Sequence, residues 1–153
     1  MRRGGLAFGA LAVVAVLSGG ATSSRHQARG VADTTLIVRS VGSVLEFVPP
    51  NISARQGTRV RIRFVNEGSL PHNLVVIRDE DDVDALATAA YAADRTGYVP
   101  VADSAKLVGY TTLASPGQAV EVTFIMPPPG VYPFLCLFPG HSNSMIGSLR
   151  SLR

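Results

Sequence analysis

The sequence predicts an all-β chain, a Greek-key β-sandwich with one short helical excursion around residues 80–95. Three observations predict it. Several short runs alternate apolar and polar residues with a period of two, the pattern of half-buried strands. Gly- and Pro-rich turn signals separate those runs: Gly57, Glu67-Gly68-Ser69, Ser115-Pro116-Gly117 and Pro127-Pro128-Pro129-Gly130. A single segment, beginning in the acidic run Asp79 to Asp84, carries apolar residues at helical spacing instead.

Taken in order, Leu36-Ile37-Val38 and Val44 to Val48 read as short strands, the second ended by Pro49-Pro50-Asn51. Thr58 to Val65 places Val60, Ile62 and Phe64 on one face and Arg59, Arg61 and Arg63 on the other. Asn73 to Ile77 reads as a further strand. Val83, Leu86, Ala87, Ala90 and Tyr91 form a helical stripe, with acids at its positive N-terminal end, and Gly97-Tyr98-Val99-Pro100 leads out. Gln118 to Met126 alternates around Val120, Val122 and Phe124, and Val131 to Leu137 and Met145 to Leu152 complete the set. Seven or eight strands with one excursion and no internal repeat fit two packed sheets.

The chain of 153 residues suits one domain. Hydrophobic residues make up 46% and charged ones 16%, which excludes a disordered chain. Met1-Arg2-Arg3, the apolar run Leu6 to Leu17 and the small residues Ser18 to Ala21 read as a secretory signal peptide over 1–21. The run is about 12 residues, against ~20 for a membrane span. Gly19 and Ala21 place the cut before Thr22; an uncleaved N-terminal anchor is the other reading. Residues 22–33 read as a linker, in which His26 is inert, and residues 34–153 as the folded domain. An exported, periplasmic or extracytoplasmic protein is expected. The formal net charge of +3 comes from four arginines before Gly30; from there on the chain has ten basic and eleven acidic residues, which disfavours nucleic acid as a partner.

Cys136 is the only cysteine, so an internal disulfide, a CxxC redox pair and multi-cysteine metal sites are excluded. A lone thiol in an exported protein is open to oxidation unless something occupies it. The surrounding segment reads Cys136-Leu137-Phe138-Pro139-Gly140-His141-Ser142-Asn143-Ser144-Met145, and a second histidine opens a strand in Leu70-Pro71-His72-Asn73. One thiolate, two imidazoles and one thioether form a set suited to copper: the sulfurs are soft and hold Cu(I), and imidazole serves both oxidation states. Three of these groups converge only if their short loop bends back, and Pro139-Gly140 supplies the bend. The plainer readings are a buried small hydrophobe for Cys136, a loop residue for His141, a strand cap for His72 and core for Met145. Met126, before three prolines, reads as core; Arg59, Arg61 and Arg63 and the Asp79 to Asp84 run read as solvated faces. Asn51-Ile52-Ser53 matches a glycosylation sequon, relevant only in a eukaryotic secretory host.

Cys136-x4-His141-x3-Met145, with the Pro71-His72-Asn73 triplet, resembles the copper site of azurins, and the excursion with Gly97-Tyr98-Val99-Pro100 resembles auracyanins. The resemblance covers roughly Leu36 to Leu152. It implies a cupredoxin fold with one copper per chain. It makes His72, Cys136 and His141 the equatorial ligands and Met145 the axial one. It also implies that the backbone N–H groups of Asn73 and Phe138 donate to the Cys136 sulfur. Two departures stand out. Azurins carry a disulfide, which this chain lacks, and usually a glycine before the first histidine, whose carbonyl approaches copper from the second axial side. Pro71 stands there, with a carbonyl but a fixed φ.

The expected function is a one-electron carrier, not an enzyme, using a mononuclear copper cycling between Cu(II) and Cu(I). A copper-delivery or storage protein is one alternative, and an accessory subunit of a larger oxidoreductase complex is another. Delivery sites lean on several methionines or exposed thiols, and only Met145 lies near this loop. A Cys/His nucleophile pair would leave His72 and Met145 unused, and a multicopper enzyme needs more histidines than His26, His72 and His141. The expected partners are redox proteins, docking on an apolar patch of Leu70, Pro71, Phe138, Pro139 and Gly140 around His141.

Overall fold

The computed structural model describes residues 34–153; the expected leader, the linker and His26 lie outside the described residues. Two sheets face each other. The first joins β1 (Thr34–Gly42), β3 (Arg59–Gly68) and β6 (Ala119–Ile125) in the order β1-β3-β6. The second joins β2 (Asn51–Arg55), β8 (Ile146–Leu152), β7 (Gly130–Leu135), β4 (Val75–Ile77) and β5 (Leu107–Tyr110) in the order β2-β8-β7-β4-β5. The first strand of each sheet pairs in parallel, β1 with β3 and β2 with β8, while the remaining ladders are antiparallel.

The alternation in β3 orients the sandwich as expected. Val60, Ile62 and Phe64 are fully buried, and Leu36 and Val38 of β1 lie opposite Ile62 and Phe64. Phe47, Phe64 and Phe134 meet edge to face at 5.0 and 5.7 Å in the middle of this core. Arg61 and Arg63 turn outward to Glu121 of β6, at 3.6 and 3.0 Å. These are exposed pairs that contribute little to stability.

The central strands of the second sheet are buried on both faces, which is why they read as unbroken apolar runs. Leu74, Val76, Phe134 and Cys136 belong to the inter-sheet core. Their neighbours Val75, Ile77, Leu135 and Leu137 join Leu86, Ala90, Val99 and Leu107 in a second cluster beneath the excursion. The excursion, residues 79–106, therefore covers the outer face of the sheet. It comprises α1 (Val83–Ala90) and three 3-10 turns, Glu80–Asp82, Asp94–Thr96 and Val101–Lys106. Asp79 caps the first turn by accepting the Asp81 N–H at 3.1 Å. Past α1, Gly97 and Tyr98 both lie in the left-handed region, at φ 65° and 66°. For a residue with a Cβ, such as Tyr98, this conformation costs about 1–2 kcal/mol.

Several elements differ from expectation. Val44 to Val48 is not a strand; only Arg39 and Val48 exchange backbone hydrogen bonds, at 2.8 Å each way. Pro49 and Pro50 have no N–H with which to continue a ladder. Chain pairing resumes at Asn51, so the segment expected to end a strand opens β2, with Ile52 and Ala54 inward. β4 is shorter than Asn73 to Ile77, because a side chain replaces the ladder: Leu74 N–H donates to Thr111 Oγ1 at 3.0 Å. β5 was not foreseen. Tyr91 is 64% exposed, since α1 ends at Ala90 and the chain turns away.

Candidate metal centre

Cys136 and Met145 sit where the β7–β8 ladder runs out. Leu135 pairs with Ile146, so the next pair outward is Cys136 with Met145, and Cys136 N–H donates to the Met145 carbonyl at 3.1 Å. Side chains of directly opposed residues share one face of a sheet, and both are fully buried in the inter-sheet core. The loop between them is wound tight. His141 N–H donates to Phe138 O at 3.0 Å, and His141 O accepts Ser144 N–H at 3.0 Å and Met145 N–H at 2.8 Å. Gly140 makes the bend at φ 82°, a conformation a glycine adopts without strain. His141 is thus turned back toward Cys136.

His72 arrives from the other side, on the connection between β3 and β4. It exchanges backbone hydrogen bonds with Ala114, at 3.0 and 2.8 Å. Asn66, near the end of β3, fixes this connection. Its amide donates to Leu70 O and Ala114 O, both at 2.8 Å, and its Oδ1 accepts from Ser40 Oγ at 2.8 Å and Gly68 N–H at 3.0 Å. Two donors and two acceptors are all used, as a fully buried amide requires. Sequence reasoning missed Asn66, although a signal was there: it continues the inward phase of Val60, Ile62 and Phe64 as a polar residue. Asn73 ties the two ligand-bearing segments together, accepting Leu137 N–H on Oδ1 at 2.7 Å and donating from Nδ2 to Gly97 O at 2.8 Å.

The result is a triangle of donor atoms. Cys136 Sγ lies 3.7 Å from His72 Nδ1 and 3.6 Å from His141 Nδ1, and the two nitrogens are 3.2 Å apart. A point equidistant from all three is about 2.0 Å from each, the length of a metal bond to imidazole or thiolate, ~2.0–2.3 Å. All three residues are buried, and Cys136 Sγ accepts hydrogen bonds from the backbone N–H groups of Asn73 and Phe138. Three of the four expected ligands therefore meet in space, and Met145 lies beside Cys136 on the ladder. Pro71 is half-buried next to His72. Met126 is core, as expected.

Electrostatics suit a metal site. Burial, opposed in part by those two N–H groups, pushes the Cys136 thiol up to about 11. Burial, and then the neighbouring His141, pushes His72 down to about 4; burial lowers His141 as well. At neutral pH both imidazoles are neutral and ready to ligate, and metal uptake displaces one proton, from the thiol. A soft sulfur with two neutral nitrogens, and a thioether alongside, fits copper better than a hard cation.

These shifts set a pH dependence for the copper-free protein. Between pH about 6.5 and about 4 the unfolded chain protonates its histidine while folded His72 does not. The unfolded state then binds more protons, so stability falls as the pH drops through this range, by up to ~3 kcal/mol. Above pH about 9 the unfolded thiol ionises first, so stability falls again as pH rises toward about 11. Unfolding midpoints of the copper-free protein should peak between these limits; a profile flat from pH 7 to 4 would contradict the burial of His72.

Residues 34–150 match the copper-binding proteins of the plastocyanin/azurin family. Auracyanin-B of Chloroflexus aurantiacus is 36% identical over 110 residues, which are 70% of this chain and 47% of that protein, so the chain spans about half its length. Auracyanin-A of the same organism is 32% identical over 123 residues, 78% of this chain and 75% of that protein. Among solved structures, auracyanin A, described as a "blue" copper protein from a green thermophilic photosynthetic bacterium, superposes with a TM-score of 0.73 at 31% identity, covering 77% of this chain and 98% of that one.

Proposed function

Because the chain belongs to the plastocyanin/azurin family of copper-binding proteins, and its sandwich is a cupredoxin fold, we propose that it is an exported one-electron carrier with no substrate reaction of its own. The cofactor is one copper per chain, with the His72, Cys136 and His141 cluster as its site. When bound, copper supplies a Cu(II)/Cu(I) couple. The observation that carries the reading is the triangle itself, since one point lies about 2.0 Å from all three donors. Asn66 and Asn73 hold the His72 side, and the Gly140 bend and the Cys136–Met145 hydrogen bond hold the other. A site so braced rearranges little when its charge changes, which is what rapid electron transfer needs. The core around Cys136 excludes water from the sulfur.

In this reading Met145 would be a fourth, weaker ligand, and the Pro71 carbonyl would offer a still weaker contact. Support for Met145 comes from its place opposite Cys136 and its complete burial. Met145→Leu should raise the reduction potential by removing a donor that favours Cu(II), and Met145→Gln should lower it, since an amide oxygen is a harder donor. Potentiometry of the two variants checks this; a potential unchanged in both would remove Met145 from the metal.

Electrons would pass at the His141 edge, through an apolar rim. Leu70 is 42% exposed, Pro71, Phe138 and Pro139 are half-buried, and Gly140 is exposed. A small apolar patch suits a transient redox partner, and Arg59, Arg61 and Arg63 would act mainly on the association rate. Leu70→Glu should slow electron self-exchange between Cu(II) and Cu(I) forms, read from NMR line broadening in mixtures, and leave the absorption spectrum unchanged. An unchanged rate would direct the search to another face. The leader supports export, and among the described residues no helix is long and apolar enough to cross a membrane.

A further inference from the structure

The excursion reaches the metal centre at two points, and both come from its pair of left-handed residues. Gly97 offers its carbonyl to Asn73 Nδ2 at 2.8 Å, and the other end of that amide receives Leu137 N–H. Tyr98 places its ring edge-on against Phe138, with centroids 5.1 Å apart at 74°. Phe138 in turn lies 4.9 Å from the His141 ring, which lies 5.0 Å from His72. The rings thus form one continuous series of edge-on and tilted contacts from the excursion to the donor triangle.

Two backbone hydrogen bonds and one from a side chain lock the turn that presents Tyr98. Its N–H donates to Ala93 O at 2.7 Å, Gly97 N–H donates to Asp94 O at 3.1 Å, and Thr96 Oγ1 donates to Val99 O at 2.6 Å. Tyrosine is a poor choice for a left-handed position, where Gly or Asn would be unstrained. Strain that persists in a well-braced turn points to a use for the side chain. Phe138 also supplies one of the two N–H groups on the Cys136 sulfur and the carbonyl that turns His141 back. Whatever fixes Phe138 therefore fixes both ligands of that loop.

We propose that Tyr98 is a positioning residue for the copper-ligand loop: its ring, held out by the left-handed backbone, clamps Phe138 and through it Cys136 and His141. Tyr98 itself is neither a donor of the triangle nor a residue of the apolar rim, and it reaches both through Phe138. It rests on the copper reading of the triangle and not on any electron partner.

The test uses the full chain with Tyr98→Gly, which removes the ring and relaxes the turn, and Tyr98→Phe, which keeps the ring. Three quantities are read: the thermal midpoint, the Cu(II) electron-spin-resonance signature with the rate at which a chelator strips copper, and amide hydrogen exchange of the copper-free chain at Leu137, His141 and Met145. In Tyr98→Gly the midpoint should stay within about 3 °C of the parent, because relief of strain offsets lost contact. The spin-resonance signature should change, and copper release and exchange at those three amides should accelerate about tenfold. Tyr98→Phe should match the parent throughout. Unchanged loop exchange and copper release in Tyr98→Gly would overturn the clamp. So would acceleration spread evenly over the whole sandwich with a fallen midpoint, which would make Tyr98 ordinary packing. The exchange arm needs no copper, so it decides the clamp even if the copper reading fails.

Discussion

Cys136→Ser should abolish the intense visible absorption of the copper-loaded protein and weaken copper binding by more than ~100-fold, while the sandwich still forms. The absorption belongs to charge transfer from thiolate to Cu(II), and serine supplies no thiolate. Its hydroxyl is also a hard oxygen donor that does not ionise at neutral pH, so the triangle would keep only His72 and His141. The fold has little reason to fail. Cys136 is free and buried, so no cross-link is lost, and serine is nearly the same shape. The backbone N–H groups of Asn73 and Phe138 that now face the sulfur would donate to the hydroxyl oxygen. The expected loss of stability is about 1–2 kcal/mol, from placing a hydroxyl among Leu74, Val76 and Phe134. Visible spectra, a copper competition assay and an unfolding curve check the three parts together. A serine variant that keeps the colour would show that Cys136 is not the ligand.

Gly147→Ala should be the most damaging glycine-to-alanine change among the described residues, lowering stability by ~3 kcal/mol and the midpoint by about 10 °C or more. A Cβ at Gly147 would stand 2.2 and 2.4 Å from two atoms of the Phe134 ring and 2.6 Å from the Pro50 carbonyl oxygen. Neither neighbour can give way cheaply. Phe134 is fully buried and packed edge-on against Phe47. The Pro50 oxygen accepts Ser148 N–H at 2.8 Å, the contact that leads into the β2–β8 pairing. Gly147 lies two residues past Met145, and its ladder partner Phe134 lies two before Cys136. Strain here therefore falls on the strands that carry the ligand loop. A differential scan of parent and variant decides the matter; equal midpoints would mean that β7 and β8 are not packed as closely as described.

Much of the fold and of the site is legible in the sequence. The inward phase of Val60, Ile62 and Phe64 oriented a whole sheet, because a period of two leaves no freedom about which face is buried. The ligand set was legible because a lone cysteine, two histidines and a methionine have few shared uses, and the geometry brings three of them to one point. What was hidden depends on contacts distant in sequence. The parallel pairing of β1 with β3 and of β2 with β8 leaves no local mark. Val44 to Val48 has strand composition but spends its apolar residues differently: Phe47 plugs the core, while Val44 and Val48 stay exposed. The braces of the site, Asn66 and Tyr98, carry no local mark of those roles. Their roles emerge only when Ala114, Leu70 and Phe138 are placed beside them.

The central claim is that the triangle of Cys136, His72 and His141 holds one copper that exchanges one electron without being released. Stepwise reduction of the copper-loaded chain with a one-electron reductant, followed in the visible and then reversed with an oxidant, tests it most directly. The account predicts an intense band that bleaches with one electron per chain and returns in full on reoxidation, with copper still bound. Absence of the band, or loss of copper on reduction so that the colour does not return, would contradict it.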